Sequence, residues 1–244
     1  MVGLLVGSYL NVVVYRVPRG LSTVTPRSRC PRCNEPIAAR DNVPVLSYLL
    51  LRGRCRYCRT KISPRYPAVE ATTGLLFAAC LVRFGPNLDT LVAACFCALL
   101  VALALIDVEF FLLPDRLTYP GIGLGLAASF GVSWTNPVTS VLGALLGAAI
   151  LLGMIGLWLL VRREWGMGLG DVKMLAMIGA FLGMWGMFAT LLVSTTAGAL
   201  VGIALLRSGD GLKTRLPFGV FLSIGALIAL FFGQAMISYY LTFF

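Results

Sequence analysis

The chain contains no histidine. Without an imidazole, Ser-His and Cys-His nucleophile systems are excluded, and so is a catalytic zinc held by histidines. Charge is scarce as well. Asp, Glu, Lys and Arg make up 12% of the residues and hydrophobic types 59%, whereas soluble domains hold roughly 25% charged and 45–50% apolar. A water-soluble globular chain is therefore excluded. Strand-period alternation is missing, which rules out an outer-membrane barrel. No G-x-G-x-x-G follows a predicted strand, so nothing marks a Rossmann-type nucleotide site.

Apolar runs are abundant, and they come in blocks suited to a hydrocarbon core of about 30 Å, which takes on the order of 17–25 helical residues. The fold class expected is an all-α polytopic membrane protein. Spans are predicted at about 2–15, 67–82, 88–106, 117–133, 138–161, 173–187, 188–206 and 217–243, eight in number. The stretch 173–206 is too long for one crossing and barely enough for two joined near Gly183–Gly186. Charge arbitrates, because Lys and Arg mark the cytoplasmic face. With eight alternating spans, segments 16–66, 107–116, 162–173 and 207–216 share one face and hold nineteen of the twenty basic residues, leaving only Arg83 opposite. Both termini are then expected outside the cytoplasm. The net charge of +10 is read as orientation and contact with anionic membrane lipids, not nucleic-acid binding.

Three parts are expected: a first transmembrane helix at 1–15, a domain outside the bilayer at 16–66, and a transmembrane domain at 67–244 with seven further helices. Residues 16–66 carry twelve Arg or Lys and six prolines and have no run of spanning length. Within them, CPRC at 30–33 and CRYC at 55–58 form two C-x₂-C pairs separated by 21 residues. Paired knuckles of this kind place four thiolates around a tetrahedral Zn²⁺, making Cys30, Cys33, Cys55 and Cys58 candidate ligands of a structural zinc. Disulfides are disfavoured in a basic loop facing the reducing cytoplasm, and so small a domain needs a staple in order to fold. Cys80, Cys95 and Cys97 lie in apolar runs and are expected to be small buried hydrophobes.

Of the ten carboxylates, Glu35, Asp41, Asp89, Glu164 and Asp210 sit in loops, where solvation explains them. Asp107, Glu109, Asp115 and Asp171 stand instead where long apolar helices meet the interface. An ionisable group at such depth is costly and tends to be paired or functional. Two predicted spans separate Asp107 from Asp171, so both emerge on one face and can meet. Asp171 follows Gly168-Leu169-Gly170, which permits tight packing or a bend; alternatively it serves as an N-cap. Asp115, after Pro114, is expected to cap the next helix. With no histidine available, two carboxylates are the best acid–base machinery present. Held close in a low-dielectric site, they cannot both ionise, so one keeps a proton while the other acts as base toward water.

These motifs together resemble the bacterial type IV prepilin leader peptidases, from the first helix to the last. GSYLNVVVYRVP at 7–18 resembles the family's opening helix. CPRCNEPIAARDNVPVLSYLLLRGRCRYCRTKISPRYPAVE at 30–70 resembles its cytoplasmic zinc-knuckle loop. IDVEFFLLPDRLTYP at 106–120 and the GxGD signature within GMGLGDVKML at 166–175 map the two catalytic aspartates to Asp107 and Asp171. The resemblance implies an intramembrane aspartic endopeptidase of the bacterial inner membrane with its site at the cytoplasmic face. It would remove the basic leader of prepilins and pseudopilins after a glycine, then methylate the new N-terminus with S-adenosylmethionine. It leaves the methyl-donor site and the oligomeric state unassigned. Glu70 matches an acidic position of the family, to bind a substrate amine or to pair with a nearby Arg. Only six residues precede Gly7, fewer than in the family's usual first helix, consistent with a trimmed or misassigned start. Phe110-Phe111 stands where many relatives carry polar side chains.

Two readings from other classes compete. A transporter using the aspartates as proton or cation carriers would show internal repeats with broken helices in corresponding halves, and none is found. A non-catalytic assembly or scaffold protein with a zinc module would leave the leader of a prepilin in place.

Overall fold

The computed structural model describes residues 1–163, 168–207 and 216–241. Among these, eight α-helices follow one another: α1 (Val2–Arg16), α2 (Leu46–Leu50), α3 (Arg65–Phe84), α4 (Leu88–Phe110), α5 (Asp115–Ala128), α6 (Pro137–Arg162), α7 (Leu169–Arg207) and α8 (Phe218–Leu241). The chain forms two compact units, Met1–Ala102 and Leu103–Phe244.

In the first unit, α1 packs on α3 through glycines. A Cβ on Gly7 would stand 2.7 Å from the Glu70 Cα, and one on Gly3 2.8 Å from the Phe77 Cβ. Small residues on helix faces let backbones approach closely where no hydrophobic effect drives helices together, as in lipid. The α1 residues facing inward are Gly3, Gly7, Leu10, Val13 and Val14, a stripe of helical period. Asn11 Nδ2 joins the two helices further, donating to the Tyr66 carbonyl at 3.2 Å. Cys80 and Cys97 are buried with their Sγ atoms 3.7 Å apart. Cys95, expected inside, is exposed, because it lies two positions from Cys97 and so points off that face of α4.

In the second unit, α7 is the central helix, and Met174, Leu175, Met177 and Ile178 on it have no exposed surface. Glycines again set the spacing. Gly143 of α6 faces Gly179 of α7 so closely that a Cβ would lie 2.7 Å from the Gly179 carbonyl oxygen, and Gly125 of α5 abuts Ala180. α6 opens with a capping box in which the Asn136 side chain accepts from the Thr139 N–H and Thr139 answers the Asn136 N–H, satisfying orphan donors at the helix start.

α7 is not one straight rod. At Gly183 the backbone takes φ 71° and ψ −178°, a region open to glycine but strained for other residues. The break occurs at the first residue of the join predicted at Gly183–Gly186. The Trp134 indole N–H donates to the Phe181 carbonyl at 3.0 Å beside the break, the kind of partner that interrupted ladders require in lipid.

Four helices, Arg65–Phe84, Leu88–Phe110, Pro137–Arg162 and Leu169–Leu205, are long and apolar enough to cross a membrane, among the described residues. By that measure four of the predicted eight are found among the described residues, with Phe218–Gly233 a shorter apolar helix. α1 and α5, with 15 and 14 residues, reach only about 21–23 Å at 1.5 Å per residue. α5 also ends at Ala128, short of the 133 expected.

Candidate functional site

Two constellations stand out, one in each unit. In the first, Cys30, Cys33, Cys55 and Cys58 bring their Sγ atoms within 4.8 Å of one another. The two knuckles repeat the same local geometry. Cys30 N–H donates to Glu35 O and Asn34 N–H to Cys30 O; Cys55 N–H donates to Thr60 O and Arg59 N–H to Cys55 O. Bridges Arg29–Pro36 and Arg54–Lys61 close the two hairpins, and the residue after each second cysteine is left-handed, Asn34 at φ 59° and Arg59 at φ 58°. Backbone N–H groups of Cys33 and Arg32 hold the Cys30 thiol below its usual range, while burial and the neighbouring sulfurs push Cys33 up, so one thiolate forms readily among the four sulfurs. Four sulfur donors suit tetrahedral Zn²⁺, whose Zn–S bonds of about 2.3 Å set sulfurs about 3.8 Å apart; Cys30 and Cys58 are 3.7 Å apart. The set thus fits a metal such as zinc.

Above the knuckles, Asp41 and Arg56 form a bidentate pair, with Arg56 Nε 2.8 Å and Nη2 2.5 Å from the carboxylate oxygens, holding the Asp41 carboxyl below its usual range. Glu70 meets the backbone of the loop before α2. Its buried carboxylate accepts the Val45 N–H at 2.7 Å, tying the start of α2 to α3. Val45 itself sits at φ 61°, an outlier for a β-branched residue.

The second constellation holds the aspartates. Asp107 lies in the last turn of α4 and is 6% exposed. Its peptide carbonyl accepts from Phe111 N–H at 2.9 Å, and Phe111 at φ 50° turns the chain out of the helix. Oδ2 of Asp107 accepts the N–H of Gly219, 2.8 Å away in the first turn of α8. Asp171 lies in the first turn of α7, near enough for the Asp107 charge to act on it. Asp171 is therefore one of the first helical residues and not the N-cap: its own N–H donates to Gly168 O at 3.2 Å. Gly170 supplies the tight packing foreseen, since a Cβ there would meet Leu113 at 2.9 Å.

Asp115 does not cap α5. It is the first residue of that helix, and no side chain caps it. Asp115 is paired instead with Lys173 of α7, whose Nζ lies 5.4 Å from the centre of the Tyr119 ring. Glu109, two residues beyond Asp107, points away from it and is exposed. Sequence reasoning missed Gly219 and Lys173. Their signals were a glycine immediately inside the last apolar run, after Pro217, and a lysine two residues past Asp171.

The Bacterial Peptidase A24 N-terminal domain matches residues 1–84, and the Type IV leader peptidase family matches residues 94–203. A prepilin leader peptidase/N-methyltransferase of Burkholderia pseudomallei (strain 1026b) is 39% identical over 96% of this chain and 84% of its own. Proteins of the same description from Pseudomonas putida and Aeromonas hydrophila are 41% identical over 96% and 89%, and 38% identical over 98% and 91%, of the two chains. No solved structure gives a significant match. With likeness at this level along nearly its whole length, the chain belongs to the type IV leader peptidase family.

Proposed function

We propose that this chain is an intramembrane aspartic endopeptidase of the bacterial inner membrane. It removes the basic leader of type IV prepilins and pseudopilins after a glycine and then N-methylates the residue exposed. The peptidase reading is supported by the placement of Asp107 at the end of α4 and Asp171 at the start of α7, near enough for the charge of one to act on the other. One carboxylate takes a proton from water as the water attacks the scissile carbonyl, and the other delivers a proton to the carbonyl oxygen. No metal and no covalent intermediate is required. A transporter reading of the same aspartates finds no support in the family.

The break at Gly183 supports α7 crossing twice, as 173–187 and 188–206. With the short α1 and α5 crossing as well, this is the eight-span arrangement that leaves 16–66 as the cytoplasmic zinc-knuckle domain and 67–244 as the peptidase domain. The aspartates then open at the cytoplasmic interface, where the leader of a membrane-inserted substrate would lie. Zinc held by Cys30, Cys33, Cys55 and Cys58 would staple the knuckle domain and stay out of the hydrolysis.

The methyl donor, S-adenosylmethionine, would supply the methyl group. In the first unit a cavity of about 420 Å³ is lined by Tyr9, Arg16, Arg27, Ser28 and Asn42, among others. Its arginines suit a carboxylate, but no acid lines it to face a sulfonium. With no acid to face the sulfonium, it is not assigned as the donor's site.

The test is purified protein in detergent with a prepilin, followed by leader loss. Asp107→Asn and Asp171→Asn should each reduce cleavage to background while folding and zinc content persist, since an amide can neither take the proton nor deliver it. Cleavage by a folded Asp107→Asn or Asp171→Asn protein would overturn the assignment.

A further inference from the structure

We propose that the first turn of α8 is a working part of the aspartate site, with Gly219 as a positioning residue for Asp107. The proposal rests on the reading of Asp107 and Asp171 as the reacting pair. Gly219 is the second residue of α8, so its N–H belongs to the donors that a helix start leaves without an intrahelical acceptor. This N–H meets Asp107 Oδ2 at 2.8 Å. The contact is made from opposite ends of two helices, the C-terminal turn of α4 and the N-terminal turn of α8. It needs a glycine, because a Cβ at 219 would stand 2.8 Å from Oδ2 and 3.1 Å from Cγ of Asp107. That space is already filled by the carboxylate, and an alanine would push it away.

The bond has a chemical consequence. It fixes Oδ2 of Asp107, assigns Oδ1 to the water, and sets a fixed donor, with the Val220 N–H beside it, and the positive end of a helix against any negative charge there. Asp171, on α7, is the titratable neighbour whose proton must be shared with it. The arrangement makes Asp107 the carboxylate that opens the cycle as base and Asp171 the acid that brings the proton. Water oxygen bonds to the carbonyl carbon, its proton passes to Asp107 Oδ1, and the Asp171 proton passes to the carbonyl oxygen, giving a neutral diol. As the C–N bond breaks, Asp107 returns its proton to the amine nitrogen and Asp171 regains one from a diol hydroxyl. Both side chains end as they began.

Two other glycines of α8 separate positioning from packing. A Cβ on Gly225 would press on Ser194 Oγ at 2.6 Å and Thr190 O at 2.7 Å, whereas one on Gly233 would meet nothing within 4 Å. The experiment compares Gly219→Ala, Gly225→Ala and Gly233→Ala in detergent by thermal melting and by prepilin cleavage across pH. Gly219→Ala should lower kcat by about 10- to 100-fold, as losing one charge-assisted hydrogen bond would, with KM little changed and the acidic limb of the kcat profile moved to higher pH. Gly225→Ala should melt earlier yet keep the wild-type pH profile, and Gly233→Ala should match wild type in both. If Gly219→Ala does not fold, glycolic acid placed at 219 by nonsense suppression removes the N–H and adds no atom, and it should give the same kcat loss and shift. A folded Gly219 variant with wild-type kcat and pH profile, or one whose profile is unmoved like that of Gly225→Ala, overturns the proposal. An active Asp107→Asn protein would instead overturn the aspartate pair itself.

Discussion

Replacing Glu70 tests how the knuckle domain is held to the first unit's helices. Its carboxylate is buried and accepts the Val45 N–H at 2.7 Å, while Val45 is kept at φ 61°, a conformation that costs of order 1–3 kcal/mol. Beside it, Ser47 Oγ accepts the Val43 N–H and donates to Arg40 O, both at 3.0 Å. Glu70→Ala removes a charge-assisted hydrogen bond worth about 1.5–3 kcal/mol and leaves nothing to hold the strained residue. The opening equilibrium of residues 43–47 should then shift by about 10- to 100-fold, since each 1.4 kcal/mol is a factor of ten. Amide hydrogen exchange in detergent micelles reads this directly. Val45 and the amides of α2 should exchange faster by that factor, while amides of the two knuckles change little and zinc content stays constant. Glu70→Gln keeps a carbonyl acceptor and should lose only part of the protection, about 10-fold or less. Unchanged exchange at Val45 in a folded Glu70→Ala protein would refute the claim that this carboxylate holds the loop. A uniform increase across the whole unit would point to global destabilisation instead.

Zinc analysis of purified protein should find about one ion per chain, and double Cys→Ser replacement in either knuckle should release it and loosen residues 16–66; a folded wild-type chain with no zinc would exclude the metal site. Cysteine labelling in intact cells should place positions near 40 and 110 in the cytoplasm and positions near 86 and 135 outside, together with the C-terminus. A cytoplasmic C-terminus would mean that α7 crosses once. Asp115→Asn should retain substantial cleavage and lose at most about 1 kcal/mol, the scale of an exposed ion pair, because Asp115 is 58% exposed where it meets Lys173. A dead but folded Asp115→Asn protein beside an active Asp107→Asn would require the pair to be redrawn as Asp115 and Asp171.

Much of this molecule was legible along the chain because the signals are local. A helix closes its hydrogen bonds within itself, so apolar runs marked the helices to within a few residues over most of the length. A C-x₂-C knuckle is a short turn whose residues lie next to one another, which is why the spacing sufficed to foresee the cluster of four cysteines. Asp107 and Asp171 declared themselves by cost, as charges at the ends of apolar helices. What the chain could not declare was which backbone stands against which side chain. Glu70 was read as a partner for a substrate amine or an arginine, and its contact with the N–H of a strained valine could not be foreseen. Asp115 was read as a cap and proved to face Lys173. Gly219 was one of 27 glycines until the start of α8 met Asp107. Each of these is a contact between residues far apart in sequence, made by helix ends and faces whose rotation and depth are set by packing against neighbouring helices, and only the tertiary structure decides those.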